Sequence, residues 1–133
     1  MAYEHVTLTL PGLTANSTGL ATSQFLLGKL ASTAGKVVLA GALNTTTIAT
    51  TIVGVIMNKP AGGEEVEFAV AGVAKVKIAS TDVAIGDWVS SNSTSQALKT
   101  TTDNRGVIGR VLEAATGTAD IVSVLLIPGN ARY

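Results

Sequence analysis

The chain has 133 residues, enough for one domain with a real core, and its nine Lys+Arg balance nine Asp+Glu to give no net charge. Only 14% of the residues are charged, against about 25% in an ordinary soluble domain. Scattered, balanced basic residues argue against binding to a phosphate backbone, and the absence of cysteine excludes disulfides and thiolate metal sites. A surface this poor in charge favours a protein covered by partners, a subunit of a larger assembly. The first residues lack a basic segment followed by an apolar one, and the longest apolar stretch, residues 48–57, is too short for a bilayer. The sequence therefore predicts a soluble protein made in a cytoplasm.

Residues 6–10 alternate like an edge strand and stop at Pro11-Gly12. Residues 14–22 are small and polar with no period, and residues 23–30 are open to one or two helical turns, against which Gly28 counts. The first 35 residues read as an arm that orders on something else, or equally as an edge strand and surface loop of the same domain. From Gly35 onward strand signals dominate: residues 37–39, 52–57, 66–70, 74–78, 88–90, 107–113 and 121–127 are short, β-branched and bounded by turn formers. No amphipathic helix separates them, so residues 36–133 predict an all-β domain, a sandwich or small barrel, preceded by an extended N-terminal arm.

One pair of strands can be read to its register. Val66, Phe68 and Val70 alternate with Glu65, Glu67 and Ala69, and Ala74, Val76 and Ile78 alternate with Lys75 and Lys77. A two-residue loop at Ala71-Gly72 mixes the faces. A three-residue loop, Ala71-Gly72-Val73, pairs Phe68 with Val76 and sets Glu67 opposite Lys77 on the wet face. The pattern predicts that hairpin.

Chemistry-bearing residues are few. The single histidine, His5, lies near the N-terminus, where an oriented base is hard to hold. Glu64, Glu65 and Glu67 cluster, but the alternation reads as a solvated face balanced by Lys75 and Lys77. Gly106-Val107-Ile108-Gly109 lacks the Lys-Ser/Thr and helix of a phosphate loop, and its glycines read as turns or a bulge. Trp88, the only tryptophan, reads as a core residue or a subunit-contact anchor, with core favoured. No metal, cofactor or catalytic constellation is expected, and the chain does not read as an enzyme.

The second half carries a family resemblance. The run Gly54-Val55-Ile56-Met57-Asn58-Lys59-Pro60, then Glu64-Glu65-Val66-Glu67-Phe68-Ala69-Val70-Ala71-Gly72-Val73-Ala74-Lys75-Val76-Lys77, resembles the DUF2190 family of phage proteins. The likeness continues through Ala84-Ile85-Gly86-Asp87-Trp88-Val89, residues 107–115 and residues 120–126, and covers roughly residues 36–127. The resemblance implies a small β-barrel or β-tulip-like domain and the role of a capsid cement, or head decoration, protein on the outside of a tailed-phage head. Its partners would be a major capsid protein of HK97 type and further copies of itself, with a trimer favoured, and it implies no catalytic residues. Capsid or subunit contact is assigned to Tyr3, His5, Val6, Leu8, Leu10, Trp88, Arg132 and Tyr133, with residues 6–10 expected to add a strand to a neighbour. The competing reading is a fibre or tail-surface component with a host-binding role, for which Tyr3, Trp88 and Tyr133 are the available aromatics.

Overall fold

The computed structural model describes residues 2, 5–43, 51–79, 82–101, 105–117 and 120–132, the side chains of 5, 6 and 128–132 excepted. Ten strands follow in chain order: β1 (His5–Leu10), β2 (Thr14–Ala15), β3 (Leu27–Leu30), β4 (Lys36–Leu39), β5 (Val53–Ile56), β6 (Phe68–Lys77), β7 (Trp88–Ser91), β8 (Ala97–Lys99), β9 (Gly106–Val111) and β10 (Ile121–Arg132). No helix occurs among the described residues, so the fold is all-β. The helical turns considered for residues 23–30 are replaced by β3.

The strands form one sheet in the order β2-β4-β3-β5-β6-β10-β9-β7-β8, with β1 added to β6. The path ends at β2 and β8 with no ladder between them, so the expected closed barrel is not formed. Closure needs continuous pairing around the circumference, and β8 offers only three residues. Single contacts catch the curl instead. Ile78 bridges Ala97, the Ala79 N–H donates to the Ala97 carbonyl at 2.7 Å, and the Leu27 N–H donates to the Ser95 carbonyl at 2.8 Å. Ser95 sits in the left-handed region at φ 64°, and its Oγ also accepts the Gly41 N–H at 2.9 Å.

The predicted hairpin is absent. β6 runs straight through Ala71-Gly72-Val73 as a ten-residue strand, and Gly72 holds φ 87° within it. Registers show how its edges are used. Ala69 pairs with Thr9 of β1 and Val55 of β5, while Val73 pairs with His5 of β1 and Leu125 of β10. A residue bridged twice has its partners on opposite edges. Since β1 holds one edge from Phe68 to Val73, β5 and β10 occupy successive stretches of the other. The sheet divides there into two layers that share β6.

Two cores follow from that division. Val66, Phe68 and Val70 enter a smaller core with Ala15, Leu20, Val37 and Ile56. Ala74, Val76 and Ile78 enter a larger one with Val55, Val89, Val111, Val122 and Val124, drawn from both layers. Even-numbered residues thus face one core before Gly72 and the other after it. In a regular strand they would share a face, and the positive φ at Gly72, strained for residues with a side chain, makes the switch.

Residues 14–30 belong to the folded unit. β3 lies between β4 and β5, and Ala15, Leu20 and Leu27 are buried. Gly28 suits this tight position, because a Cβ there would meet the Ile56 and Val37 side chains at 3.1 Å and they would have to shift by a few tenths of an ångström. Gly54 stands opposite it in β5, where a Cβ would collide with the Ala69 carbonyl.

Candidate contact surfaces

Residues directly opposite each other in a sheet share a face. The registers therefore align one row across five strands: His5 of β1, Val73 of β6, Leu125 of β10, Arg110 of β9 and Trp88 of β7. The neighbours Ala74, Val124, Val111 and Val89 are buried on the core side, so Val73, Leu125, Arg110 and Trp88 of this row lie on the outward face. Leu125 is 47% exposed and Arg110 is exposed, with Val73 and Trp88 half-buried. Lys75 and Lys77 follow Val73 on the same face by strand alternation.

Trp88 belongs to neither core, so its favoured reading as a core residue is corrected. The Arg110 guanidinium lies 5.0 Å from the centroid of its ring, and Arg110 Nε donates to the Gly86 carbonyl at 2.9 Å. Ile85, beside this corner, is 71% exposed. An Arg stacked on a half-buried Trp with an exposed aliphatic neighbour has the composition of an interface centre.

The acidic groups around this layer are held by local donors. Asp87 accepts the Ala84 N–H at 2.9 Å and pairs with Lys99 at 3.2 Å. The Ala84 N–H, helped by Lys99, holds its carboxyl below the usual carboxylate range. Asp120 accepts the Thr116 N–H and hydroxyl and its own neighbour's N–H from Ile121, and the Thr116 bonds depress its pKa. Glu113 accepts the N–H and hydroxyl of Ser123. No group of three His, Cys, Asp or Glu able to hold a metal occurs among the described residues.

The remaining assigned contact residues lie along β1 and the chain ends. Leu8 is 58% exposed, whereas Leu10 packs against the smaller core with Leu13 and Leu30. His5 and Val6 are placed by their backbone in β1, and Arg132 stands opposite Gly106 at the end of β10. Tyr3 and Tyr133 lie outside the described residues. Among the described residues β1 pairs only with β6 and no strand lies along its second edge, and none of its six residues is Lys, Arg, Asp or Glu.

The structure thus joins His5 and Trp88 into one row and keeps Leu8 on an edge beside it. Sequence reading missed Val73, Leu125 and Arg110. Leu125 is hidden in the run Ile121-Val122-Ser123-Val124-Leu125-Leu126-Ile127, apolar except for Ser123, where no alternation separates the two faces. Arg110 had a signal, as the one charged residue within Val107-Ile108-Gly109-Arg110-Val111.

Comparison with known proteins agrees with the sequence resemblance. The phage cement protein family matches residues 17–126, which leaves β1 and β2 outside the matched stretch. The crystal structure of head fiber gp8.5 N base in bacteriophage phi29 is similar over 96% of this chain and 98% of that one, with a TM-score of 0.58 and 19% sequence identity. That likeness is one of fold. No curated protein matches the chain. With most of its length matched, this chain belongs to the phage cement protein family, the DUF2190 family of the sequence resemblance.

Proposed function

We propose that this protein is a capsid cement protein that binds the outer surface of a tailed-phage head, built from subunits of HK97 type, and stabilises it across capsomer junctions. The family match over residues 17–126 carries this reading. The physical support is the open edge of β1. A six-residue strand with no charged side chain and an exposed Leu8 is what a monomer normally blunts with Lys, Pro or a covering segment. Left open, it suits strand addition to a capsid subunit. The protein acts as a homo-oligomer, with a trimer favoured. An oligomer touching several capsomers gains effective concentration from each contact already made, so no single contact need be strong. Thr, Ser and Ala at such contacts cost little rotamer entropy to immobilise.

The test adds purified protein to undecorated heads and images them. Saturable density at capsomer junctions is expected, and heads that stay bare at saturating protein sink the proposal. Leu8→Lys, placed on an exposed side chain, is expected to lower occupancy at least about tenfold with an unchanged melting temperature. A second reading, a fibre component with a host-binding role, draws on the fold shared with the phi29 head fiber base. It predicts that variants at Trp88 lower host adsorption and leave capsid stability unchanged.

A further inference from the structure

Two pairs of like charges stand at opposite ends of β6. Glu65 and Glu67 flank buried Val66, so both carboxylates project to the same side of an extended segment, about 6.6 Å apart along it. Both are exposed, with no ion pair among the described residues. Asn58 fixes the segment through its backbone, donating from Nδ2 to the Glu65 carbonyl at 2.9 Å and accepting the Glu67 N–H on Oδ1 at 3.0 Å. Lys75 and Lys77 flank buried Val76 with the same spacing. Lys75 Nζ lies 5.8 Å from the Phe25 ring centroid, and neither ammonium has an ion pair among the described residues.

The hairpin expected from the sequence would have brought these charges together within one chain. The continuous strand instead sets Lys77 ten residues beyond Glu67, about 33 Å when extended. Within one chain they cannot meet. Around the lysines, Glu113 and Asp120 are occupied by Ser123, Thr116 and Ile121, and Asp87 by Ala84 and Lys99. Among the described residues, the cations on the lysine face are the half-buried Lys75 and Lys77 and Arg110, which is held over Trp88, with Val73 and Leu125 as its apolar centre. Opposite charge at matched spacing on a strand-like partner is the arrangement that fixes cross-strand register.

We infer that copies of this chain dock head to tail, with the Glu65 and Glu67 carboxylates of one copy on the Lys75 and Lys77 ammoniums of the next and Leu125 covered at the joint. This deepens the homo-oligomer reading above and depends on it. Such an interface is heterologous, so it closes into a ring when the rotation between copies permits.

Mass measured by light scattering at low salt tests the docking with four chains: wild type, Lys75→Glu/Lys77→Glu, Glu65→Lys/Glu67→Lys, and the chain carrying all four reversals. Either double reversal is expected to weaken assembly about tenfold or more, and the fourfold swap to restore it. Salt at about 0.5 M should loosen the wild-type assembly, because exposed charges are screened over a few ångströms there. Circular dichroism checks that each chain is folded, and Glu65→Gln/Glu67→Gln replaces any reversal that is not. If the double reversals assemble like wild type, or the fourfold swap stays dissociated, the docking is overturned while the oligomer stands. A wild type that is monomeric at every concentration overturns the oligomer reading itself.

Discussion

The two halves of β6 carry the same kind of sequence and do opposite things. Val66, Phe68 and Val70 alternate with polar or small residues, as do Ala74, Val76 and Ile78, and all six apolar side chains are buried. The first half lies between β1 and β5 and fills the smaller core; the second pairs with β10 and fills the larger one. Alternation specifies that one face of each half is dry. The side of the molecule that face looks toward changes at Gly72, which holds φ 87°. One strand can serve two cores when a residue without a side chain permits the switch.

The largest expected break in this arrangement is Phe68→Ala. Phe68 is fully buried, and its ring packs at the position where a Cβ on Gly54 would meet it at 3.0 Å. Its removal leaves a cavity at the junction of β1, β5 and β6, and a loss of about 3–5 kcal/mol is expected. Denaturant unfolding gives the total. Amide exchange separates the halves: protection should fall most over β1, β5 and residues 68–71, and least over the β6–β10 ladder. Equal loss of protection in both halves would show that the two cores unfold as one.

Gly72→Ala probes the switch itself, with a smaller effect. An L side chain at this φ costs about 1–2 kcal/mol from local crowding. If the switch alone is strained, the melting temperature falls while circular dichroism and both exchange-protected ladders persist. A variant as stable as wild type would mean that β6 can change faces without the left-handed angle.

Much of this fold is legible in the sequence, and the illegible parts have a common cause. β4, β5, β7, β9 and β10 stand where β-branched runs between turn formers predict them. Ala71-Gly72-Val73 looks like a loop because a positive-φ glycine has the same sequence whether it turns a hairpin or bends a strand. β3 looks helical or irregular because its strand character comes from what surrounds Gly28, the Ile56 and Val37 side chains, and not from its own residues. β2 and β8 have two and three residues, below the length at which any period shows. At the surface, Leu8 stands exposed where the alternation of residues 6–10 predicts an edge strand, whereas Trp88, favoured as a core residue by its type, lies outside both cores. The row that joins His5 to Trp88 is not local information, because it exists only in the registers of five strands.

The smallest effect concerns the layer that carries the second half of β6. Asp87 ties the turn before β7 to β8 through the Ala84 N–H and Lys99. Its folded pKa lies below its unfolded value, so its contribution to stability is complete above about pH 4 and is lost as pH falls through the folded pKa. Asp87→Asn keeps an acceptor for the amide but removes the charge facing Lys99. The variant should be less stable at neutral pH, by no more than about 1 kcal/mol, since the pair is partly exposed. The difference from wild type should shrink steadily below about pH 4 and vanish once Asp87 is protonated. Urea unfolding of both chains across that range measures it. A difference that persists at acid pH would assign the role of Asp87 to the geometry of its turn and not to its charge.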